Sequence, residues 1–337
     1  MADHIRAIQY GLGPIGVGVA RLVSKRTGIE LVGGVDTDPA KVGRDLGELT
    51  ALGRPNGIKV RAQLAEVLAE TQADVVLHCT GSSLPDILPQ IEECLRAGLN
   101  VVSTCEELAY PAAQYPDLAC DLDALAKAHG VTVLGTGINP GYAMDSLALF
   151  FSGVCESVDR VEIRRRLDAS GRRLPLQKKI GAGLTVDEFA GLVAAKKVRH
   201  VGLVESLTML AAGLGWKLDR TEEVTEPVIA DRVLKSAFLE VQSGAVAGVH
   251  QIGRGFAGGR EVITLDLTMA LDVNDVGDFV HIWGANEVEL VVKGIRGDQA
   301  TAAVAVNCVP RVVQHQPGLL TMKDIALPSC WSPARSL

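Results

Sequence analysis

Ile5-Arg6-Ala7-Ile8-Gln9-Tyr10-Gly11-Leu12-Gly13-Pro14-Ile15-Gly16 is the stretch that decides the fold. Six residues of strand character run into a Gly-x-Gly-x-x-Gly spacing, and a helical pattern follows over 16–25. Between a strand and a helix each glycine has a mechanical task. Gly11 permits the tight turn, Gly13 lets a pyrophosphate approach the backbone, and Gly16 lets helix and strand pack closely. Pro14 and Ile15 complete the loop and are read with the glycines as cofactor contacts, and the N-terminus of the helix that follows offers free N–H groups and a partial positive charge to phosphate.

Outward from this loop the same alternation continues. A second strand over 30–35 ends on Asp36, about 20 residues beyond the last glycine, where an acid meets ribose hydroxyls in such folds. A carboxylate there repels a 2′-phosphate, so NAD is favoured over NADP; Thr37 and Arg44 leave use of both open. Further strands are expected over 74–79, 100–105 and 131–134, with helices over 84–97 and 122–129. Repeated βαβ units imply a Rossmann-type parallel sheet covered by helices on both faces. The strand over 74–79 runs into Cys79-Thr80-Gly81-Ser82-Ser83, a small and hydroxylated turn at the carboxyl edge, where ligands of open α/β sheets bind. Cys79, Thr80 and Gly81 are therefore candidates for the ribose and nicotinamide side, with Ser82 or Ser83 serving equally as a helix cap.

The next strand ends in Val101-Val102-Ser103-Thr104-Cys105-Glu106-Glu107. Burying a carboxylate at that edge is costly unless a partner relieves it. Neighbours on an extended chain point to opposite sides, so one of Glu106 and Glu107 is expected to face the cofactor and the other solvent or a partner. Glu106, nearer the strand end, is the first choice. Capping of a helix near Pro111 is the alternative task for both. A single acid beside a hydride donor suits nitrogen chemistry: it holds an ammonium, accepts its proton, and returns a proton to a leaving hydroxyl.

Beyond Asn139-Pro140-Gly141 the pattern changes. Asn139 is a candidate cofactor contact or a simple turn residue. The apolar run 142–151 reads as a buried connecting helix. Helical patterns at 186–195 and 200–212 follow, then alternating strands over 247–255, 261–271, 278–283, 287–295 and 301–307, as in an antiparallel sheet with one buried face. The tail 309–325 reads as one or two helices. A dinucleotide-binding domain over 1–140 and an α+β substrate and dimerisation domain over 141–308 are thus expected, with 309–337 returning to the first. The basic runs Arg164-Arg165-Arg166 and Lys178-Lys179 read as solvated faces, or as anchors for an acidic substrate.

The 337 residues are 47% hydrophobic, 22% charged and 4% aromatic, the make-up of a globular α/β protein large enough for two domains. A net charge of −7 gives no attraction to phosphate backbones or anionic lipid, so nucleic acid and membranes are not expected partners. Seven scattered cysteines without a CxxC pair suggest a reduced, cytoplasmic chain. No spacing of histidines, cysteines or acids suits a metal.

Taken together, GLGPIG with Asp36, CTGSS, STCEELAYP, GTGINPGY and NCVPRVVQHQPGLLTMKDIALP resemble the 2,4-diaminopentanoate dehydrogenase family and the related native amine dehydrogenases, over almost the whole chain. The resemblance implies NAD(P)H-dependent reductive amination of a ketone or aldehyde with ammonia, and the reverse deamination. It implies a Rossmann domain plus a substrate domain that builds a homodimer, similar to dihydrodipicolinate reductase. The family's catalytic glutamate carries over to Glu106 or Glu107. Its pocket implies Tyr142 as an aromatic wall, and His200 and His250 as pocket residues in VRHVGL and GVHQIG. The HxHH run of dihydrodipicolinate reductases is absent, and Glu107 stands where related sugar oxidoreductases place a lysine. The rival readings are a true 2,4-diaminopentanoate dehydrogenase, which must hold a second ammonium, and a dinucleotide-binding regulator without turnover.

Overall fold

A computed structural model describes residues 4–50 and 55–330. These divide into two compact units, one formed by the residues up to Tyr142 together with those from Arg296 on, the other by Ala143–Ile295. In the first unit β1 (Ile5–Tyr10), β2 (Ile29–Val35), β3 (Val60–Arg61), β4 (Val75–His78), β5 (Asn100–Ser103) and β6 (Thr132–Gly135) lie in the order β3-β2-β1-β4-β5-β6. All neighbours run parallel. The order reverses between β1 and β4, and that reversal opens a crevice at the carboxyl ends of the strands. Every residue of β4 is buried, as expected for a strand covered on both faces. Ile8, Val76, Val101 and Val133 form the centre of this core. Burying each such side chain contributes about 1.5–3 kcal/mol.

The end of the chain differs from the sequence reading. Residues 301–307 were expected as a strand, yet they lie within one long helix, Gly297–Val313. In TAAVAVN valine and alanine alternate, so a short window fits period 2 and a helical period equally. The alanines favour helix, and the stripe Ala302, Ala305, Val306, Val309 and Val312 is buried at helical spacing. This helix belongs to the first unit, so the return begins at Arg296 rather than 309. Its Ala302 lies opposite Gly18 of the helix Pro14–Val23. The tail reading is also corrected: after Pro317, which cannot extend a helix, Gly318–Leu320 forms a seventh parallel strand beside β6. Asp123 Oδ1 accepts the Leu319 N–H at 3.0 Å and ties that strand to the helix Pro116–Ala128.

The second unit is an α+β fold on a six-stranded sheet. β7 (Arg160–Asp168), β8 (Arg220–Ile229), β9 (Val246–Ala257), β10 (Arg260–Ala270), β11 (Gly277–Trp283) and β12 (Val288–Val292) lie in the order β12-β11-β7-β10-β9-β8. Neighbours are antiparallel except β7 with β10. One face carries Ile163, Leu265, Val249 and Val280, all buried. The helix Leu203–Gly213 covers part of it, with Leu203 over Gly253 and Leu207 over Gly255. The connecting helix expected over 142–151 is shorter, Ser146–Ser152. Asp145 caps it by accepting the Ser146 N–H and also holds the Ser206 hydroxyl at 2.7 Å. β8 was not anticipated: its RTEEVTEPVI lacks alternation because it is an edge strand, where charges and Pro227 are tolerated.

Arg165 corrects the solvated-face reading of the arginine run. Pleating turns it to the helix-covered side, 1% exposed, while Arg164 and Arg166 stay exposed. It pairs with Asp278 on β11 at 2.5 Å.

Candidate active site

The glycine loop leaves β1 at Gly11, whose φ of +88° favours glycine. A Cβ there would lie 2.5 Å from the Cys79 carbonyl oxygen, and one on Gly16 would overlap the Gly11 carbonyl. At Gly13, by contrast, an added Cβ meets nothing within 4 Å. Two glycines thus serve the loop's own packing, and the middle one faces open space that a pyrophosphate can fill. Gly13 also caps the helix Pro14–Val23 without a side chain, so the first-turn N–H groups of Ile15 and Gly16 are not closed off by their cap. Gln9, buried one residue before the end of β1, fixes the loop by donating to the Gly11 and Leu77 carbonyls at 2.9 and 3.1 Å.

Asp36 follows β2 and is nearly buried. Its Oδ2 accepts the Leu12 N–H at 2.7 Å, inside the glycine loop, and its Oδ1 accepts the Asp38 N–H at 2.8 Å. The acid is therefore held at the glycine loop, with Thr37 exposed beside it. Lys41 Nζ also reaches Asp36 Oδ2, at 3.1 Å, and Asp38 at 3.3 Å. Burial lowers the affinity of Lys41 for its proton, but the bonds to Asp36 and Asp38 outweigh it and hold the ammonium above its ordinary range. Arg44 is the residue named from the sequence, and Lys41 is not; the signal for Lys41 is a lysine close behind the acid, in Asp36-Thr37-Asp38-Pro39-Ala40-Lys41.

At the end of β4, Thr80 and Gly81 are exposed and Cys79 is half-buried. The residue before them, His78, is fully buried. Its Nδ1 meets Ser103 Oγ at 3.0 Å on β5, and its Nε2 meets Gln90 Oε1 at 2.8 Å and Thr80 Oγ1 at 3.0 Å. Burial pushes the imidazole down to about 4, so it is neutral near pH 7. His78 was also missed, although a histidine closing an otherwise apolar strand is a signal in itself. Burial pushes the nearby Cys105 thiol up to about 12, leaving it neutral too.

The two acids are separated by the fold, though not by pleating. β5 stops at Ser103, and Glu106 and Glu107 lie in a turn rather than on extended chain. Glu107 is 5% exposed, and its Oε2 accepts the Leu84 N–H at 2.8 Å. Leu84 is the first residue of the helix Leu84–Arg96, whose own cap, Ser83, makes no side-chain bond. Glu107 thus caps a neighbouring helix, where its charge also meets the positive end of the dipole. Its N–H in addition donates to the Ser82 carbonyl at 3.2 Å. Glu106, half-buried, lies one residue earlier in the same turn. On the far side the turn packs at Leu108 and Ala109 against Gly135, where any Cβ would collide with the backbone.

Asn139 is buried, precedes a cis bond to Pro140, and lies beyond the end of β6. Tyr142 is half-buried in the turn before the helix Ser146–Ser152, outside the helix once expected to contain it. In the second unit the backbone of His200 is held on both sides by the buried Gln251, through its N–H at 2.8 Å and its carbonyl at 2.9 Å. Gln251 also donates to Glu223 at 3.1 Å. Burial raises the Glu223 carboxyl, and Arg199 only partly opposes it. His250 immediately precedes Gln251 on β9 and so points to the opposite, half-exposed face. There its Nε2 meets Asp266 Oδ1 at 2.9 Å, and this bond holds the imidazole above its ordinary range. Within this unit His200 and His250 are therefore not brought together. Among the described residues no group of three or more His, Cys, Asp or Glu is placed to hold a metal ion.

Comparison with known proteins gives this edge its context. A family model for the 2,4-diaminopentanoate dehydrogenase C-terminal domain matches residues 142–336, and one for the dihydrodipicolinate reductase N-terminus matches residues 5–105. The chain is 35% identical to the 2,4-diaminopentanoate dehydrogenase of Acetoanaerobium sticklandii, covering 97% of this chain and 94% of that protein. It is 25% identical to an amine dehydrogenase of Streptomyces virginiae, covering 96% of each. The solved amine dehydrogenase of Mycobacterium smegmatis superposes with a TM-score of 0.84 at 29% identity, covering 97% of this chain and 98% of that one. A match along nearly the full length of both sequences is what common descent of the whole two-unit fold requires, and the chain belongs to the 2,4-diaminopentanoate dehydrogenase family.

Proposed function

We propose that this protein is an NAD(P)H-dependent amine dehydrogenase, joining ammonia to a small ketone or aldehyde by reductive amination and running the reverse deamination. The observation that carries this reading is the position of the acid pair just beyond a strand end at the carboxyl edge of the sheet: Glu107 caps a helix N-terminus there, and we take Glu106, half-buried in the same turn, as the working carboxylate. Glu106 takes a proton from ammonium, so that free ammonia attacks the carbonyl carbon. It then returns a proton to the departing hydroxyl and, as a carboxylate, steadies the iminium cation that results. A nicotinamide cofactor held at this edge would supply or remove the hydride at that carbon. Gly11, Gly13, Pro14, Ile15 and Gly16 hold the pyrophosphate, Asp36 and Thr37 the ribose, and Cys79, Thr80, Gly81 and Asn139 the nicotinamide side. Tyr142 lines the substrate on the side of the first unit. The carboxylate of Asp36 favours NAD, and Lys41 moderates that preference by offsetting the charge.

The active form is a cytoplasmic homodimer built on the uncovered sheet face of the second unit. That face supports self-pairing because opposite charges alternate across it: Arg160 bonds Glu162 at 3.1 Å and Glu261 at 3.4 Å, and Arg254 lies 3.6 Å from Glu261. A two-fold copy of such a face meets complementary charge. Arg160 over Trp283, Arg164 over Phe279 and Arg220 over Phe256 add flat aromatic area, and His250 belongs to this face rather than to the pocket. Reduced thiols support the cytoplasm, since all seven cysteines are free.

The 35% identity to a named 2,4-diaminopentanoate dehydrogenase favours a second reading, in which that diamine is the physiological substrate. One screen separates the readings. NADH consumption is followed with cyclic and aliphatic ketones, aldehydes and keto acids, with and without ammonium, and NAD reduction with 2,4-diaminopentanoate. Consumption that requires ammonium is the expected result. Preferential turnover of the diamine selects the second reading, carbonyl reduction without ammonium refutes amine chemistry, and NADH binding without any turnover leaves a regulator.

A further inference from the structure

A chain of hydrogen bonds runs from the helix Leu84–Arg96 to the residue preceding Glu106. Its direction follows from the donors available. Thr80 Oγ1 gives its proton to Gln90 Oε1 at 2.7 Å, so Oε1 is an acceptor and His78 Nε2 must carry the proton that faces it. Nδ1 is then bare and accepts the Ser103 hydroxyl. Ser103 Oγ in turn accepts the Cys105 N–H at 3.2 Å. Polarity is thus fixed from Cys105 through Ser103 and His78 to Gln90, and a neutral imidazole satisfies every member.

This chain reaches the acidic turn from one side while the Glu107 bonds to Ser82 and Leu84 hold it from the other. Glu106 lies between the two ties. Neither tie touches the reacting atoms, yet together they fix the backbone from which the carboxylate projects. We propose that His78, acting through Ser103, is a positioning residue that sets the placement of the Glu106 carboxylate. The proposal rests on Glu106 being the working acid.

The test uses the full-length protein with four variants: His78→Leu, His78→Asn, Ser103→Ala and Glu106→Gln. Ammonium-dependent NADH consumption gives kcat and its pH profile, and quenching of NADH fluorescence gives cofactor affinity independently of turnover. Misplacing a catalytic group by about 1 Å costs on the order of 100-fold in rate. His78→Leu and Ser103→Ala are therefore expected to lower kcat by about 10- to 100-fold and to move the acid limb of its pH profile, with NADH affinity changed less than about twofold. His78→Asn keeps an acceptor near the place of Nδ1 and is expected to recover most of kcat and the original limb. A well-folded His78→Leu protein with unchanged kcat and pH profile overturns the proposal, as does equal loss in the leucine and asparagine variants, which indicates packing alone. Should His78→Leu fail to fold, Ser103→Ala, which removes a single oxygen, carries the same prediction and the same refutation. If Glu106→Gln retains full rate, the assignment of the working acid fails and the positioning proposal with it; if only Glu106→Gln loses rate, positioning alone fails.

Discussion

The carboxyl edge of the parallel sheet and the middle of the mixed sheet both bury ionisable groups, but they stabilise them differently. Asp36 and Glu107 accept backbone N–H groups of the glycine loop and of a helix end, dipoles that the fold holds in place whether or not the acids are charged. Arg165 has no such support in its pairing. It meets Asp278 side chain to side chain, and its Nη2 has no hydrogen-bond partner among the described residues. Burial accordingly holds Arg165 below its ordinary range and Asp278 above it, because desolvation outweighs their mutual attraction. A backbone-anchored acid stays in one place. A buried side-chain pair binds its two strands together but leaves each partner costly without the other.

This contrast can be broken in two steps, the larger first. Replacing Arg165 by leucine strands a buried carboxylate and is expected to cost about 3–5 kcal/mol in urea unfolding, whereas Arg165→Met combined with Asp278→Leu recovers most of that loss. A single-variant cost below about 1 kcal/mol would show that the pair is not uncompensated in the way described. The smaller effect comes from His78. Its folded-state value of about 4 lies below the ordinary 6.5, so between these values the unfolded chain binds more protons. Stability is complete above pH 6.5 and falls as the pH drops toward 4, by about 3 kcal/mol from this residue. Carboxylates held low by partners, such as Asp74 beside Arg6, lose their contribution only at lower pH still. Urea midpoints measured from pH 7 to pH 4.5 are expected to decline in the wild type and to flatten in His78→Asn; equal slopes would refute the assignment.

The same contrast explains what the sequence revealed. The glycine loop and Asp36 were legible because backbone geometry admits few residue types there: Gly11 requires a positive φ and Gly16 has no room for a Cβ. Val75–His78 and Asn100–Ser103 were legible as short apolar runs. Arg165 was not, because its burial depends on the pleat and on a partner 113 residues away. Ala302–Asn307 misled because alternating alanine and valine satisfy both periods, and only packing against the helix Pro14–Val23 decides between them. The acid pair lay between these extremes. Its position at a strand end was readable, but the capping of Leu84 by Glu107 joins residues 23 apart and follows no local pattern.

The central claim is that the fold divides two adjacent acids between structure and chemistry. It is tested most directly by comparing Glu106→Gln with Glu107→Gln for ammonium-dependent NADH oxidation and for urea stability, side by side. The account predicts that Glu106→Gln loses at least about 100-fold in kcat while remaining folded. Glu107→Gln is predicted to lose about 1–2 kcal/mol of stability through its weakened cap and to keep most of its turnover where it remains folded. The reverse pattern, with Glu107→Gln stable but inactive and Glu106→Gln active, would contradict it.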